Sequence, residues 1–294
     1  KTGGNYVRNT MSDRQAHGYE VYPYGKAVED AYDLDRWNPE YWRRFRRLLE
    51  LTEERDIIVQ IELWDRFDFS RKHWLKHPYR PVNNVNYTSE ESTLANRYPS
   101  HPARDEQPFL HTVPGMRMYR EELDPVRKYQ ERFARKLLSI SLDYGHVLYC
   151  MNNETHLAPK WGLHWMKLIR REAADRGVEV YVTDMFDHGW KPRRCDHCRY
   201  AFRHPETYDF IDISQVNSRT FDEDHWRNIL WVVRRVREVQ PRPVNHVKIY
   251  GSGFTSFGSG GPEDGVERFW RNLIAGSAGV RFHRDGAGNG LKPI

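Results

Sequence analysis

Residues 145–156 read GHVLYCMNNETH. The first half is apolar and favours a strand. The second half is an amide pair, a carboxylate and a threonine, followed by a helical pattern carrying Trp161, Trp165, Leu168 and Ile169. A buried strand that stops at polar groups just ahead of a helix is the unit of a parallel α/β sheet, whose functional groups collect where strands end. Asn, Glu and Thr are also ordinary loop and cap residues, so the meaning of Asn152, Asn153 and Glu154 rests on what surrounds that strand.

The same unit recurs on both sides. Residues 5–10 (NYVRNT) and 57–64 (IIVQIELW) read as earlier strands, and 178–187 (VEVYVTDMFD), 209–217 (DFIDISQVN), 243–251 (PVNHVKIYG) and 279–284 (GVRFHR) as later ones. Helices fall between them. Asn38, Pro39 and Glu40 supply an N-cap, a first-turn proline and an acidic first turn ahead of Trp42, Phe45, Leu48, Leu49 and Thr52. Further helical spacing runs from about 121 to 143 (Val126, Tyr129, Phe133, Leu137), through Trp226, Ile229, Leu230 and Val233, and from about 263 to 276. Residues 11–35 read as a polar and aromatic loop. Residues 67–119 carry many Pro, Asn, His and Arg without periodicity, and so long an insertion belongs more often to a functional site than to a scaffold.

Seven strands in βα alternation are one short of the eight that close a barrel. An open sheet would leave two long edges unpaired. The expected fold is therefore α/β, a (β/α)8 TIM barrel lacking its first strand, with 1–294 forming a single catalytic domain truncated at both ends. A seven-stranded or doubly wound sheet is the alternative.

Composition narrows the classes of function. The 46 basic and 41 acidic residues are spread along the 294-residue chain, so the formal charge of +5 implies no nucleic-acid partner, though it permits an anionic substrate at a local basic cluster. No apolar run approaches the roughly 20 residues of a spanning helix, and no membrane partner is expected. Three cysteines are too few for a disulfide scaffold. The chain opens on KTGGNYVRN with neither an initiator Met nor a signal peptide, so its start is expected to be processed, trimmed or fragmentary.

The strand ends are polar throughout. In chain order they offer Arg8 and Asn9; Glu62, Trp64 and Asp65; Asn152, Asn153, Glu154 and His156; Asp184 and Asp187; Gln215 and Asn217; Lys248 and Tyr250; and His283, Arg284 and Asp285. Carboxylates at three consecutive strand ends, interleaved with amides and aromatic rings, suit chemistry on a sugar. Glycoside hydrolysis needs one carboxyl to protonate the leaving oxygen and a second to act as nucleophile or as base for water. Each acid also has a plainer reading, an ion pair with a neighbouring Arg or Lys.

Asn153–Glu154 at the end of the fourth barrel strand, with Arg8 at the end of the second, resembles the clan A glycoside hydrolases. GGNYVRNTMS and EDGVERFWRNLIAGSAGVRFHR look like the apiosidase-type branch, whose members often carry a collagen-binding-like domain downstream. The resemblance implies that Glu154 is the general acid, that Asn153 holds the neighbouring sugar hydroxyl and that Arg8 orients a carboxylate. It further implies a secreted or periplasmic enzyme acting on a plant, algal or microbial oligo- or polysaccharide without a cofactor. The seventh strand departs from the pattern: where clan A enzymes carry a nucleophilic Glu, this chain reads NHVKIY at 245–250. Glu62 and Asp184 are the substitutes expected to act with Glu154, by inversion through water, and Lys248 is expected to keep one carboxylate ionised. Asn9, Trp64, His156, Gln215, Asn217, Tyr250, His283 and Arg284 complete the expected sugar-binding set. A barrel that binds sugar without cleaving it, or a lyase-like enzyme using Lys248 or a His as base, remains open.

A second constellation lies in HGWKPRRCDHCRYAFRH, where Cys195 and Cys198, with His188, His197 or His204, have the spacing of half a zinc site. The missing second Cys pair favours free thiols or a local disulfide, so no metal is expected.

Overall fold

Pro23, Trp42 and Asn38 show how local chemistry starts the fold. Asn38 Oδ1 accepts from the Glu40 N–H at 3.1 Å, and Trp42 Nε1 donates to the Pro23 carbonyl at 3.1 Å, so the helix cap and the preceding chain are fixed together. The computed structural model describes residues 4–11, 21–101, 106–187, 192–215, 220–250 and 262–284. Its strands are β1 (Tyr6–Thr10), β2 (Tyr24–Val28), β3 (Ala31–Trp37), β4 (Ile58–Asp65), β5 (Val147–Asn153), β6 (Val182–Thr183), β7 (Ile211–Asp212), β8 (Val244–Tyr250) and β9 (Gly279–Arg284). Its helices are α1 (Pro39–Glu53), α2 (Arg71–Trp74), α3 (Ser89–Ser92), α4 (Asp124–Ser141), α5 (Pro159–Ala174), α6 (Asp196–Arg203), α7 (Asp222–Val239) and α8 (Pro262–Ile274).

Two parallel arcs, β1-β4-β5-β6 and β7-β8-β9, carry the expected strands. A parallel bridge from Met185 to Asp212 and a bond from the Asp209 N–H to the Val182 carbonyl join the arcs across β6 and β7. Side chains then cross the interior. Tyr6 donates to Gln60 Oε1 at 2.5 Å, Gln60 Nε2 to Asp212 Oδ2 at 2.9 Å, and Asn245 Nδ2 to the Tyr6 hydroxyl at 3.2 Å. Residues from β1, β4, β7 and β8 can meet this way only if the sheet curves round on itself, as in a (β/α)8 barrel. Above this polar layer Cys150, Met185 and Val247 form an apolar one. β1 and β9 are the ends of the sheet, and no ladder joins them among the described residues.

Within the stretch expected to be a loop, β2 and β3 pair antiparallel as a hairpin. The 67–119 insertion is also more ordered than its sequence suggests. Trp74, Tyr79, Tyr87, Leu94 and Phe109 are buried, Phe69 stacks on Phe109 at 3.8 Å between ring centroids, and Thr88 and Glu91 close a capping box on α3. Much of the insertion is thus a packed layer with its own share of core.

The inward face of β4 and β5 switches near their C-terminal ends. Gln60 and Glu62 point inward, but Trp64 packs outward on Phe133 of α4 and Trp165 of α5, at 5.7 and 5.0 Å between ring centroids. Its β5 register partner Asn152 likewise turns towards α5, accepting from Trp161 Nε1 at 3.0 Å and donating to Asp184 Oδ1 at 2.9 Å. The next pair, Asp65 and Asn153, faces the interior again. Asp184 is held by Asn152 and by the Met185 N–H at 2.9 Å, directly beneath Gly162 of α5. A Cβ at Gly162 would collide with Asp184 Oδ2, so this glycine sets how closely α5 approaches the sheet. Gly162→Ala is expected to destabilise the fold by about 1–3 kcal/mol, read as a lowered Tm in thermal denaturation.

Candidate active site

Glu154 follows the last residue of β5 with φ of 59°, a left-handed conformation that costs a non-glycine residue of order 1 kcal/mol. This backbone turn takes Glu154 out of the strand before α5 starts at Pro159 and aims its carboxyl into the barrel mouth. Oε1 accepts from Lys248 Nζ at 2.5 Å and from Gln215 Nε2 at 2.9 Å. Oε2 lies 3.8 Å from Arg66 Nη2. The side chain is 16% exposed, enough for contact with a ligand. Burial pushes the carboxyl up to about 7; Arg66 opposes that rise, while Asp187 and Asp65 add to it.

Lys248 reaches this point from β8 and is fully buried. Its ammonium also donates to Asn153 Oδ1 at 2.6 Å, and Asn153 Nδ2 donates to Asp65 Oδ2 at 2.9 Å. The chain Asp65–Asn153–Lys248–Glu154 therefore ties β4, β5 and β8 at the mouth. On the other side of Glu154, Arg66 donates to Asp187 Oδ2 at 2.6 Å, and His156 Nε2 lies 3.5 Å from the same oxygen. His101, from the insertion, is close enough to Arg66 and Asp187 to feel both charges.

Glu154, Asn153, His156, Gln215 and Lys248 thus come together. The other expected residues take different places. Asp184 is tied to Asn152 and packed against α5, outside the group around Glu154. Trp64 is 4% exposed within an aromatic cluster, so its ring offers no open face to a sugar. Asn9 donates to Met11 Sδ at 3.1 Å, beside β1. His283 sits half-buried on β9. Asn217 and His188 lie outside the described residues, as do the side chains of Tyr250 and Arg284. Cys195 and Cys198 form a disulfide at the start of α6, and His204 bonds Glu206 at 2.7 Å, so the zinc candidate is not assembled. No group of three or more metal-ligating side chains occurs among the described residues.

Arg66 and Asp187 are the neighbours of Glu154 left out of the expected set. Asp187 was visible as a strand-end acid; Arg66, one residue past β4, carried no periodic signal.

Glu62 and Arg8 form a separate layer inside the barrel. Arg8 Nε lies 3.0 Å from Glu62 Oε1, and Thr10 donates to Oε2 at 2.5 Å. Glu62 has no exposed surface. Burial pushes its carboxyl up to about 7 against the pull of Arg8 and Thr10.

No protein-family model matches the chain, and no curated protein matches it in sequence. Solved structures do match. A Bacteroides vulgatus protein provisionally described as a glycoside hydrolase superposes with a TM-score of 0.61 at 13% identity, over 99% of this chain and 49% of that one. A glycoside hydrolase family 5 mannosidase from Rhizomucor miehei gives 0.53 at 13% identity, over 95% and 71%. A second Bacteroides vulgatus structure, of glycoside hydrolase family 5, gives 0.50 at 13%, over 96% and 52%. The chain spans about half the length of both Bacteroides proteins. At this identity the likeness establishes the fold: an α/β chain on the (β/α)8 plan found in glycoside hydrolase family 5 structures.

A carboxyl raised on folding binds its proton more tightly in the native state. Its contribution to stability is complete below the unfolded value near 4.5 and is lost as pH rises through about 7. The Glu62 contribution should therefore fall by up to roughly 3 kcal/mol between pH 4.5 and 8, while the buried His77, His225 and His246, held well below the usual histidine value, act in the opposite sense below about 6.5. Denaturant titrations at several pH values should show the stability difference between wild type and Glu62→Gln moving against the wild type as pH rises across that window.

Proposed function

We propose that this barrel is a glycoside hydrolase that cleaves an oligo- or polysaccharide, with Glu154 as the general acid. The observation that carries the reading is the placement of Glu154: a left-handed turn at a strand end aims one carboxyl into a polar mouth, where burial pushes it up to about 7. Oε1 is occupied by two N–H donors, so Oε2 is the oxygen placed to meet a leaving group. His156, 27% exposed at the mouth, supplies a polar contact for sugar hydroxyls, and Asn153 holds Lys248 against Glu154. The shared fold adds support, and the Rhizomucor structure holds mannosyl-fructose.

Finer features of this reading rest on particular residues. Arg66 stands at the rim beside Glu154, and a cation there suits a sugar bearing a carboxylate. The Cys195–Cys198 disulfide fits a secreted or periplasmic setting, where such bonds persist. The motifs at the two ends of the chain support the apiosidase-type branch.

Lys248 favours a second reading, a barrel that binds sugar without cleaving it. It stands on the seventh-strand segment where clan A enzymes carry an acid, and it grips the proposed general acid directly.

Glu154→Gln keeps the shape and removes the titrating proton. Hydrolysis of a polysaccharide and aryl-glycoside panel should fall by roughly 10²-fold or more with folding intact. In the wild type, kcat/KM should decline above pH about 7, as Glu154 loses its proton; unchanged turnover in the variant would remove Glu154 from the mechanism. Binding of the same oligosaccharides by calorimetry without turnover by the wild type would establish the second reading.

A further inference from the structure

A glycosidase needs two carboxyl groups, and the seventh strand supplies none. We infer that Asp187, at the end of β6, is the second catalytic carboxylate, acting as the nucleophile while Glu154 acts as acid and base. This inference rests on the hydrolase reading of Glu154 and names the group that reading lacks.

Three observations select Asp187 among the buried acids. First, the backbone places it beside Glu154. The Thr155 N–H donates to the Met185 carbonyl at 2.9 Å, and the Asp187 N–H to the Thr155 carbonyl at 2.7 Å, so the β5–β6 ladder continues past both strands and brings the two acids to the same rim. Second, Arg66 Nη2 stands between them, 2.6 Å from Asp187 Oδ2 and 3.8 Å from Glu154 Oε2. Those two oxygens can be no further apart than these distances laid end to end. That upper limit lies at the lower edge of the roughly 6.5–9.5 Å that admits an attacking water and includes the roughly 5–5.5 Å of a covalent route, so the two acids are near enough for either and the anomer first formed decides. Third, the competing acids have less access to a ligand: Asp184, bonded to Asn152 and the Met185 N–H, Asp65, bonded to Asn153 and the Phe67 N–H, and Glu62, bonded to Thr10 and paired with Arg8, are all more deeply buried than Asp187. The Asp187 side chain is 12% exposed, next to His156 at 27%.

The two-step reaction balances on these groups. An Asp187 carboxylate oxygen forms a bond to the anomeric carbon as the glycosidic C–O bond breaks, and Glu154 gives its proton to the leaving oxygen. Glu154 then takes a proton from water, whose oxygen bonds the anomeric carbon as the Asp187 ester bond breaks. The sugar leaves with its configuration retained, and both carboxyls return to their starting states. Arg66 is a positioning residue that holds the Asp187 carboxylate against Glu154. On this inference configuration is retained where the sequence reading expects inversion, with Asp187 in place of Glu62 or Asp184 as the partner acid.

The test uses the full chain and a panel of 4-nitrophenyl glycosides, including mannosides and uronides. With a substrate that the wild type turns over, proton NMR of the first-formed product should show the retained anomer, and Asp187→Asn should lower kcat by roughly 10³-fold or more. Asp187→Gly with added azide should regain turnover and yield a glycosyl azide of inverted configuration. A 2-deoxy-2-fluoro glycoside of the same sugar should leave an ester on the peptide containing Asp187, detected by mass spectrometry. A structural Arg66–Asp187 pair would give neither azide product nor ester. An inverted first product, an ester on another acid, or Asp187→Asn with wild-type kcat would overturn the inference while leaving Glu154 as acid. A wild type silent on the whole panel and on polysaccharides would instead remove the hydrolase reading, and the inference with it.

Discussion

The ammonium of Lys248 has no exposed surface, and a buried charge of that kind is tolerated only where the fold surrounds it with acceptors. Asn153 and Glu154 provide them. To do so, β5 must end opposite β8 across the barrel, and Asn153 must face inward although Asn152 faces α5. The switch of facing in β5 is matched residue for residue in β4, where Trp64 leaves the interior and Asp65 returns to it. The outward half of the switch is secured by Trp161, Trp165 and Phe133, and the inward half by the bond between Asp65 and Asn153. Core packing on α4 and α5 and polar geometry at the mouth are therefore two sides of one register.

This switch explains which features the sequence disclosed. The parallel strands were legible because each is an apolar run bounded by polar groups, and α1 because Asn38 and Pro39 announce it. The hairpin β2–β3 was hidden, since its turn contains Glu29 and Asp30 with no glycine and its strands bury fully only Tyr24 and Leu34. At the site, Glu154, Asn153, Gln215 and Lys248 could be found by asking what each strand end offers. Trp64 and Asp184 were misplaced by the same question, because strict alternation puts every second residue inside, and alternation breaks just where the strands end. Arg66 has no pattern at all; its position follows from a short 3-10 turn capped by Asp65 Oδ1 on the Phe67 N–H.

The two arginine-bearing layers of the interior divide the electrostatic work. The Arg8–Glu62 pair holds β1 to β4, with Glu62 fully buried and Arg8 nearly so. Arg66 sits at the rim, between two acids that retain some contact with solvent. A buried pair contributes mainly to which structure forms, whereas a pair at the rim can exchange its partner for a ligand. Of the two, only the rim layer touches Glu154.

The left-handed backbone at Glu154 narrows what evolution can do at this position. Glycine or asparagine would relieve that conformation, but glycine would also strip the buried Lys248 ammonium of one of its two acceptors, a larger loss than the relief. Neither change could keep the acid. A lineage that abandoned the acid would thus be drawn to replace Lys248 along with it, and the two positions should be kept or lost together.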